Sequence, residues 1–123
     1  MPVVLTVEDD EQVRVLAESI LKEEGYETLS ANGVNEALAL LRSDQKVDIL
    51  FTDIQLGTDF QGGLDLAQEA VRLRPKIPVV YSSGRDPTDG MRALFVEHSL
   101  YLHKPYDPAQ LTAAVGALVN SFR

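Results

Sequence analysis

The sequence predicts an α/β fold in which five parallel strands form one sheet and helices cover both of its faces. Strand-like apolar runs alternate with helical periodicities five times along 123 residues. The strand runs are also rich in Val, Ile and Leu without regular polar alternation, as strands buried on both faces are. A third observation is that polar residues cluster at the ends of these runs. Glu8 and Asp9 come after the first, Asp53 ends the third, Ser82 and Ser83 end the fourth, and Lys104 comes after the fifth. In a parallel sheet those ends share one edge, where open α/β proteins build their sites.

The first strand is expected at residues 3–7, which are apolar and β-branched. Val13, Leu16, Ala17, Ile20 and Leu21 then repeat at helical spacing, and Gly25 is placed to stop that helix. The run Glu27–Ala31 is a candidate second strand, before a helix carrying Ala37, Leu38 and Leu41. Residues 47–52 are the third strand, and a glycine-containing loop leads to a helix with Leu64, Ala67 and Val71. Pro75 and Pro78 bracket the turn into a fourth strand at 78–82. Asp86-Pro87 and Asp107-Pro108 each read as a helix cap followed by proline at the first helical position. Between them lies the fifth strand-like run, Leu100–His103, and after them a helix with Leu111, Ala114, Val115, Leu118 and Val119 on one face. With no linker, repeat or low-complexity stretch, residues 1–123 are expected to be one (βα)5 domain, with Met1 a native start.

Composition narrows the function. Hydrophobic residues make up 45%, as in an ordinary globular domain. The absence of cysteine excludes disulfides and thiolate metal sites. No apolar run approaches the roughly 20 residues of a membrane span, and no signal-peptide pattern opens the chain. A cytoplasmic protein is the simplest expectation. A net charge of −8 argues against direct nucleic-acid binding, which wants a basic face.

Glu8-Asp9-Asp10-Glu11 falls where the first strand turns into the first helix. Acids there favour the helix dipole by about 0.3–1 kcal/mol each, which is reason enough for some of them. Glu8 and Asp9 beside Asp53 would repel one another, however, and raise at least one carboxylate pKa unless a cation intervened. Magnesium, which takes one or two carboxylates with water and phosphate oxygens, suits such a set, and manganese is an alternative. Asp53 emerges from the continuous apolar run Ile49-Leu50-Phe51. A carboxylate at such a strand end can act as a nucleophile toward phosphorus, and phosphoryl transfer asks mainly for positioning and charge neutralisation. Side chains alternate along a strand, so only one of Ser82 and Ser83 can face the site. Ser83, nearest the end, is the expected one. Lys104 precedes proline, which favours an extended conformation and tolerates cis; either aims an ammonium across the strand ends.

Together these residues resemble the receiver domains of two-component response regulators, from Val3 to about Phe122. The resemblance rests on Val7-Glu8-Asp9-Asp10, Thr52-Asp53-Ile54, Pro78-Val79-Val80-Tyr81-Ser82-Ser83-Gly84 and Tyr101-Leu102-His103-Lys104-Pro105. It implies a flavodoxin-like sheet in the order 2-1-3-4-5. By similarity Asp53 is the phosphoacceptor, Asp9 a metal ligand, and Glu8 a partner in the acidic pair that acts through water. The backbone carbonyl of Gln55 completes the protein's share of the Mg²⁺ shell. Ser83 and Lys104 take phosphoryl oxygens, and Tyr101 is the switch aromatic, free to face inward or outward. Gln55, Gly84 and Arg85, at the mouth of the site, are expected to tune the lifetime of the acyl phosphate by positioning or excluding water.

The implied partners are a histidine kinase or phosphotransfer protein and a downstream protein target. The implied output face comprises the fourth helix, fifth strand and fifth helix, with the chain a monomer or weak homodimer through that face. No output domain is visible. Many relatives carry proline four residues after the phosphoacceptor and glycine four beyond it. Here Leu56-Gly57-Thr58-Asp59-Phe60-Gln61-Gly62-Gly63 puts glycine for proline and lengthens the loop by one or two residues, so a more mobile loop is expected. Two other classes compete. A haloacid-dehalogenase-type hydrolase also uses a strand-end aspartate, but it has a second aspartate two residues on, where this chain has Gln55. An interaction module that is never phosphorylated would have no need of the intact Glu8, Asp9, Asp53, Ser83 and Lys104.

Overall fold

The computed structural model describes residues 1–121. Five strands, β1 (Val3–Val7), β2 (Glu27–Ala31), β3 (Ile49–Asp53), β4 (Val79–Ser83) and β5 (Ser99–His103), alternate with helices α1 (Glu11–Glu23), α2 (Val34–Arg42), α3 (Gly62–Leu73), α4 (Asp89–Ala93) and α5 (Pro108–Ser121). All neighbouring strands are parallel, in the order β2-β1-β3-β4-β5. That is the order the resemblance implied.

The alternation of side chains along each strand splits the core in two. Leu5, Val7, Leu50 and Tyr81 point to the face covered by α2 and α3, where Ala37, Leu41, Leu64 and Ala67 meet them. Val4, Ile49, Phe51 and Val80 point to the other face, under Ala17 and Leu21 of α1 and Leu111 and Val115 of α5. Leu16 is 63% exposed, contrary to its place in the expected apolar stripe. It lies roughly 100° around the helix from Ala17, the residue that meets the sheet.

The helix ends reflect local chemistry. The Asp10 carboxylate accepts from the amides of Gln12 and Val13 at the start of α1. At its other end Gly25 takes φ 92, with its N–H on the Lys22 carbonyl and the Tyr26 N–H on that of Leu21. This paired closure favours glycine at the left-handed position. α5 begins at Pro108 as expected. Asp107 accepts from the Gln110 amide at 2.8 Å, and Gln110 Oε1 accepts from the Asp107 amide at 2.9 Å, a reciprocal cap. The expectation for Asp86-Pro87 fails. α4 starts at Asp89 and is capped by Thr88, whose hydroxyl accepts from the Met91 amide at 3.1 Å. The Asp86 carboxylate instead turns across the sheet edge to His103, 3.6 Å away.

β3 starts at Ile49, not at residue 47. Asp48 closes the edge beforehand: its carboxylate accepts from the Val3 amide at 2.7 Å, and its own amide donates to the Val3 carbonyl. β4 likewise begins one residue late, after Pro78, which has no N–H to give the ladder.

Candidate functional site

The C-terminal strand ends bring the expected residues to one cleft of about 680 Å³, lined by Glu8, Asp9, Asp53, Gln55, Ser82, Ser83, Gly84, Arg85 and Lys104 among others. A second groove, of about 650 Å³, opens at the opposite edge around Pro2, Asp48 and Pro78 and contains none of the candidate residues.

Glu8 and Asp53 are buried while Asp9 is exposed, and carboxylate oxygens of the three lie within 4.8 Å of one another. Lys104 Nζ is 2.7 Å from Glu8 Oε1 and 2.8 Å from Asp53 Oδ1. Burial pushes the Glu8 carboxyl above the usual carboxylate range, and the contact with Asp53 adds to the rise against the lowering effect of Lys104. Burial alone would lower the Lys104 pKa. Its hydrogen bonds to Asp53 and Glu8 outweigh that, so the ammonium is held more firmly protonated than usual. Nearby Tyr106 is pushed up to about 12 by burial. The repulsion anticipated from the sequence is present, and one lysine relieves it in part. A cluster of carboxylate oxygens with this residual negative charge fits a hard divalent cation, which prefers oxygen donors.

The two serines divide the work differently from the expectation. Ser82, buried, donates from Oγ to Asp53 Oδ1 at 2.8 Å. Ser83 faces the cleft mouth, where its hydroxyl donates to the Arg85 carbonyl and lies 2.8 Å from Tyr101 Oη. Strand register is the reason: Asp53 pairs with Ser82, so the two point to the same side of the sheet. Ser82 is thus the hydroxyl on Asp53 itself, while Ser83 also lines the cleft. Tyr101 is turned inward, with Oη also 3.2 Å from the Ser83 carbonyl and 3.1 Å from that of Arg85. The Arg92 guanidinium sits 5.5 Å from its ring centroid, and Phe95 stacks on it at 6.4 Å. Three oxygens at the inner position favour that rotamer over the outward one.

At the mouth, Gln55 and Arg85 are both exposed, and the Gln55 side-chain amide donates to the Gly57 carbonyl at 3.3 Å. A Cβ at Gly84 would meet nothing within 4 Å, consistent with an open entrance. The lengthened loop forms a built turn. Leu56 and Asp59 exchange both backbone hydrogen bonds at 3.0 Å, and Gly57 takes φ 61 at the first central position. Turns that close antiparallel pairs need positive φ there, a conformation glycine adopts without strain. The loop returns to the sheet at Gly63, whose N–H donates to the Ile54 carbonyl at 2.8 Å. A side chain there would run into the Asp53 carbonyl.

Two residues escaped the sequence reading, and a third, Ser82, was passed over in favour of its neighbour. Arg14 donates from Nη1 to the Glu8 carbonyl at 2.8 Å. Its position one turn into α1, with side chains leaning toward the helix N-terminus, is the signal that would have found it. Ser82 required the register. Phe60, 64% exposed on the lengthened loop, lines the cleft and has no counterpart in the local pattern.

The family model described as response regulator receiver domain matches residues 4–116. The chain is 33% identical over 129 residues to the transcriptional regulatory protein AruR of Pseudomonas aeruginosa, covering all of this chain and 51% of that protein. It is 31% identical over 118 residues to the transcriptional regulatory protein CpxR of Klebsiella pneumoniae, covering 95% of this chain and 49% of that protein. Among solved structures, a response regulator receiver protein from Sinorhizobium medicae superposes with a TM-score of 0.90 at 28% identity, covering 99% of this chain and 97% of that one. The chain thus spans about half the length of the curated relatives it matches.

Proposed function

The chain belongs to the response regulator receiver domain family, a family of signalling domains rather than turnover enzymes, and from that premise we propose that Asp53 is the phosphoacceptor of a phosphorylation-dependent switch. The observation that carries the proposal is the geometry around Asp53. A buried strand-end carboxylate is held by a lysine ammonium at 2.8 Å and a serine hydroxyl at 2.8 Å, beside two further acids.

In the transfer, an Asp53 oxygen forms a bond to phosphorus as the bond from phosphorus to the donor's histidine nitrogen breaks, and that nitrogen leaves with the donor. Lys104 is positioned to track the charge from the carboxylate to the phosphoryl oxygens, and the Ser82 and Ser83 hydroxyls, both lining the cleft, offer further donors. Glu8, Asp9, Asp53 and the Gln55 backbone carbonyl would hold Mg²⁺, or Mn²⁺ with the same preference for oxygen. When bound, the metal supplies positive charge for the phosphoryl oxygens. Ser83 already touches Tyr101, so its capture of a phosphoryl oxygen would release a contact that holds β5. The signal would pass to the face of α4, β5 and α5 as a population shift.

The donor on this reading is a histidine kinase or phosphotransfer protein, and the receiver is a downstream protein met by that face, through which the chain can also pair weakly with itself. The domain itself requires no nucleic-acid contact. No described helix is long and apolar enough to cross a membrane; a cytoplasmic setting accords with the proposed donor. Residues 1–123 constitute one receiver domain with no output domain among them. The hydrolase reading is disfavoured by Gln55 two residues after Asp53, and the unphosphorylated module by the intact Lys104, Asp53 and Glu8 cluster.

Mg²⁺ should stabilise the fold, because a ligand bound only by the native state adds RT ln(1 + [L]/Kd). At tenfold excess over Kd this is about 1.4 kcal/mol, or a rise of about 5 °C in Tm for a chain of this size. Asp9→Ala should lose most of that rise in a thermal melt, and equal responses would place the metal elsewhere. Arg85→Ala should change the dephosphorylation rate severalfold while shifting Tm by under about 2 °C, since the side chain is exposed at the mouth. An unchanged rate would remove Arg85 from any gating role.

A further inference from the structure

Beneath the cleft, on the α1 side of the sheet, lies a separate cavity of about 10 Å³ bounded by Thr6, Arg14, Phe51 and Tyr106 and by the inner sides of Glu8, Asp53, Ser82 and Lys104. Two buried side-chain atoms among the described residues find no hydrogen-bond partner in the protein, Thr6 Oγ1 and Arg14 Nε, and both residues line this cavity. Thr6 is 1% exposed, a lone hydroxyl in the otherwise apolar strand Val3-Val4-Leu5-Thr6-Val7. Buried polar groups are rarely left unpaired, and apolar cavities are the ones that stay dry. Val7, Val13, Ala17 and Phe51 form part of this cavity's wall, but the two residues with unpaired buried atoms border it as well. With room for about one water, it meets the size requirement of an internal water and offers it two polar partners.

We propose that this cavity is a binding site for a single structural water, which accepts from Arg14 Nε and pairs with the Thr6 hydroxyl, strapping β1 to α1 behind the acid pair. The same guanidinium donates from Nη1 to the Glu8 carbonyl at 2.8 Å. The water fixes one edge of the guanidinium, the guanidinium fixes the backbone of the turn that carries Glu8 and Asp9, and Thr6 becomes a positioning residue for the metal-binding acids without touching them. The site goes beyond the phosphoacceptor reading: its occupancy depends on neither metal nor phosphoryl group, while the consequence for metal affinity rests on that reading.

The test uses the whole chain as wild type, Thr6→Val and Thr6→Ser. Thr6→Val keeps the shape and removes the hydroxyl; Thr6→Ser keeps the hydroxyl. Crystal structures that order single waters should show one peak about 2.7–3.2 Å from both Thr6 Oγ1 and Arg14 Nε in wild type. The peak should persist in Thr6→Ser and be lost in Thr6→Val. Wild-type density with no peak, or with Arg14 Nε turned to a protein acceptor, overturns the site. Titration with Mg²⁺ alone, monitored by amide chemical shifts, should give about tenfold weaker binding for Thr6→Val, the lower end of the effect of groups that orient ligands from outside. Thr6→Ser should stay near the wild-type value. Wild-type affinity in Thr6→Val overturns the positioning role, and no Mg²⁺ binding by wild type fails the metal reading while leaving the water peak to decide the site. Should Thr6→Val not fold, cross-relaxation between a long-lived water and the protons of Thr6 and Arg14 in wild type decides the same question, and its absence overturns the site.

Discussion

Asp53→Asn is expected to take up no phosphoryl group from acetyl phosphate and Mg²⁺, while the wild type gains one, as read by intact mass. The substitution keeps the size and shape of the side chain and removes the nucleophilic carboxylate, since an amide oxygen at the same place does not form a stable acyl phosphate. The variant should remain folded. Asp53 and Glu8 are buried like charges whose contact raises the Glu8 carboxyl, and neutralising one of them relieves that repulsion while Lys104 keeps Glu8 as partner. Loss of labelling with an unchanged far-UV spectrum therefore assigns the chemistry to Asp53. Labelling at the wild-type level in the variant would place the acceptor on another residue and remove the basis of the proposed switch.

Gly63→Ala is expected to be the most damaging single methyl in the chain. The Gly63 amide is bonded to the Ile54 carbonyl at 2.8 Å, and a Cβ would collide with the carbonyl of Asp53 and the Cα of Ile54, backbone atoms that cannot swing aside. Relief requires moving either α3 or the end of β3. Overpacking of a rigid site costs about 3 kcal/mol or more, which lowers Tm by about 10 °C or more at this size. Gly62→Ala is the internal control. Its added methyl would approach Leu56 Cβ at 3.2 Å, a contact that a few tenths of an ångström relieves. It should cost less than half as much. Equal melting of Gly63→Ala and wild type would mean that the helix and strand are not locked together as described.

Much of this was legible in the sequence because parallel sheets carry their grammar locally. The apolar runs, the Gly25 stop and the Asp107-Pro108 start each depend on residues a few positions apart, and the structure has them where expected. The convergence of Glu8, Asp9, Asp53 and Lys104 was legible too, since parallel topology alone puts their strand ends together. What the sequence could not supply was relative alignment. Ser82 rather than Ser83 meets Asp53 because of the pairing between β3 and β4, which no single strand encodes. Thr88 rather than Asp86 caps α4 because the helix starts at Asp89, a boundary that the Asp-Pro pair alone does not fix. The inward Tyr101 depends on backbone carbonyls of the β4–α4 turn, whose positions exist only once that turn is formed.

The segment between Asp53 and Gly63 is pinned at both ends, by β3 on one side and by the glycine packed against that strand on the other. Between fixed anchors, chain length is nearly a free variable, because doubling a closed loop costs only about 0.6 kcal/mol. The turn at Leu56–Asp59 makes use of that freedom, and it carries Phe60 outward to the rim of the cleft. From Leu56 onward, rim identity is therefore decoupled from the geometry around Asp53. Residues can be added, removed or exchanged between Leu56 and Gln61, altering what a docking protein meets, while Gln55, the carboxylate and the lysine at the ends of β3 and β5 stay in place.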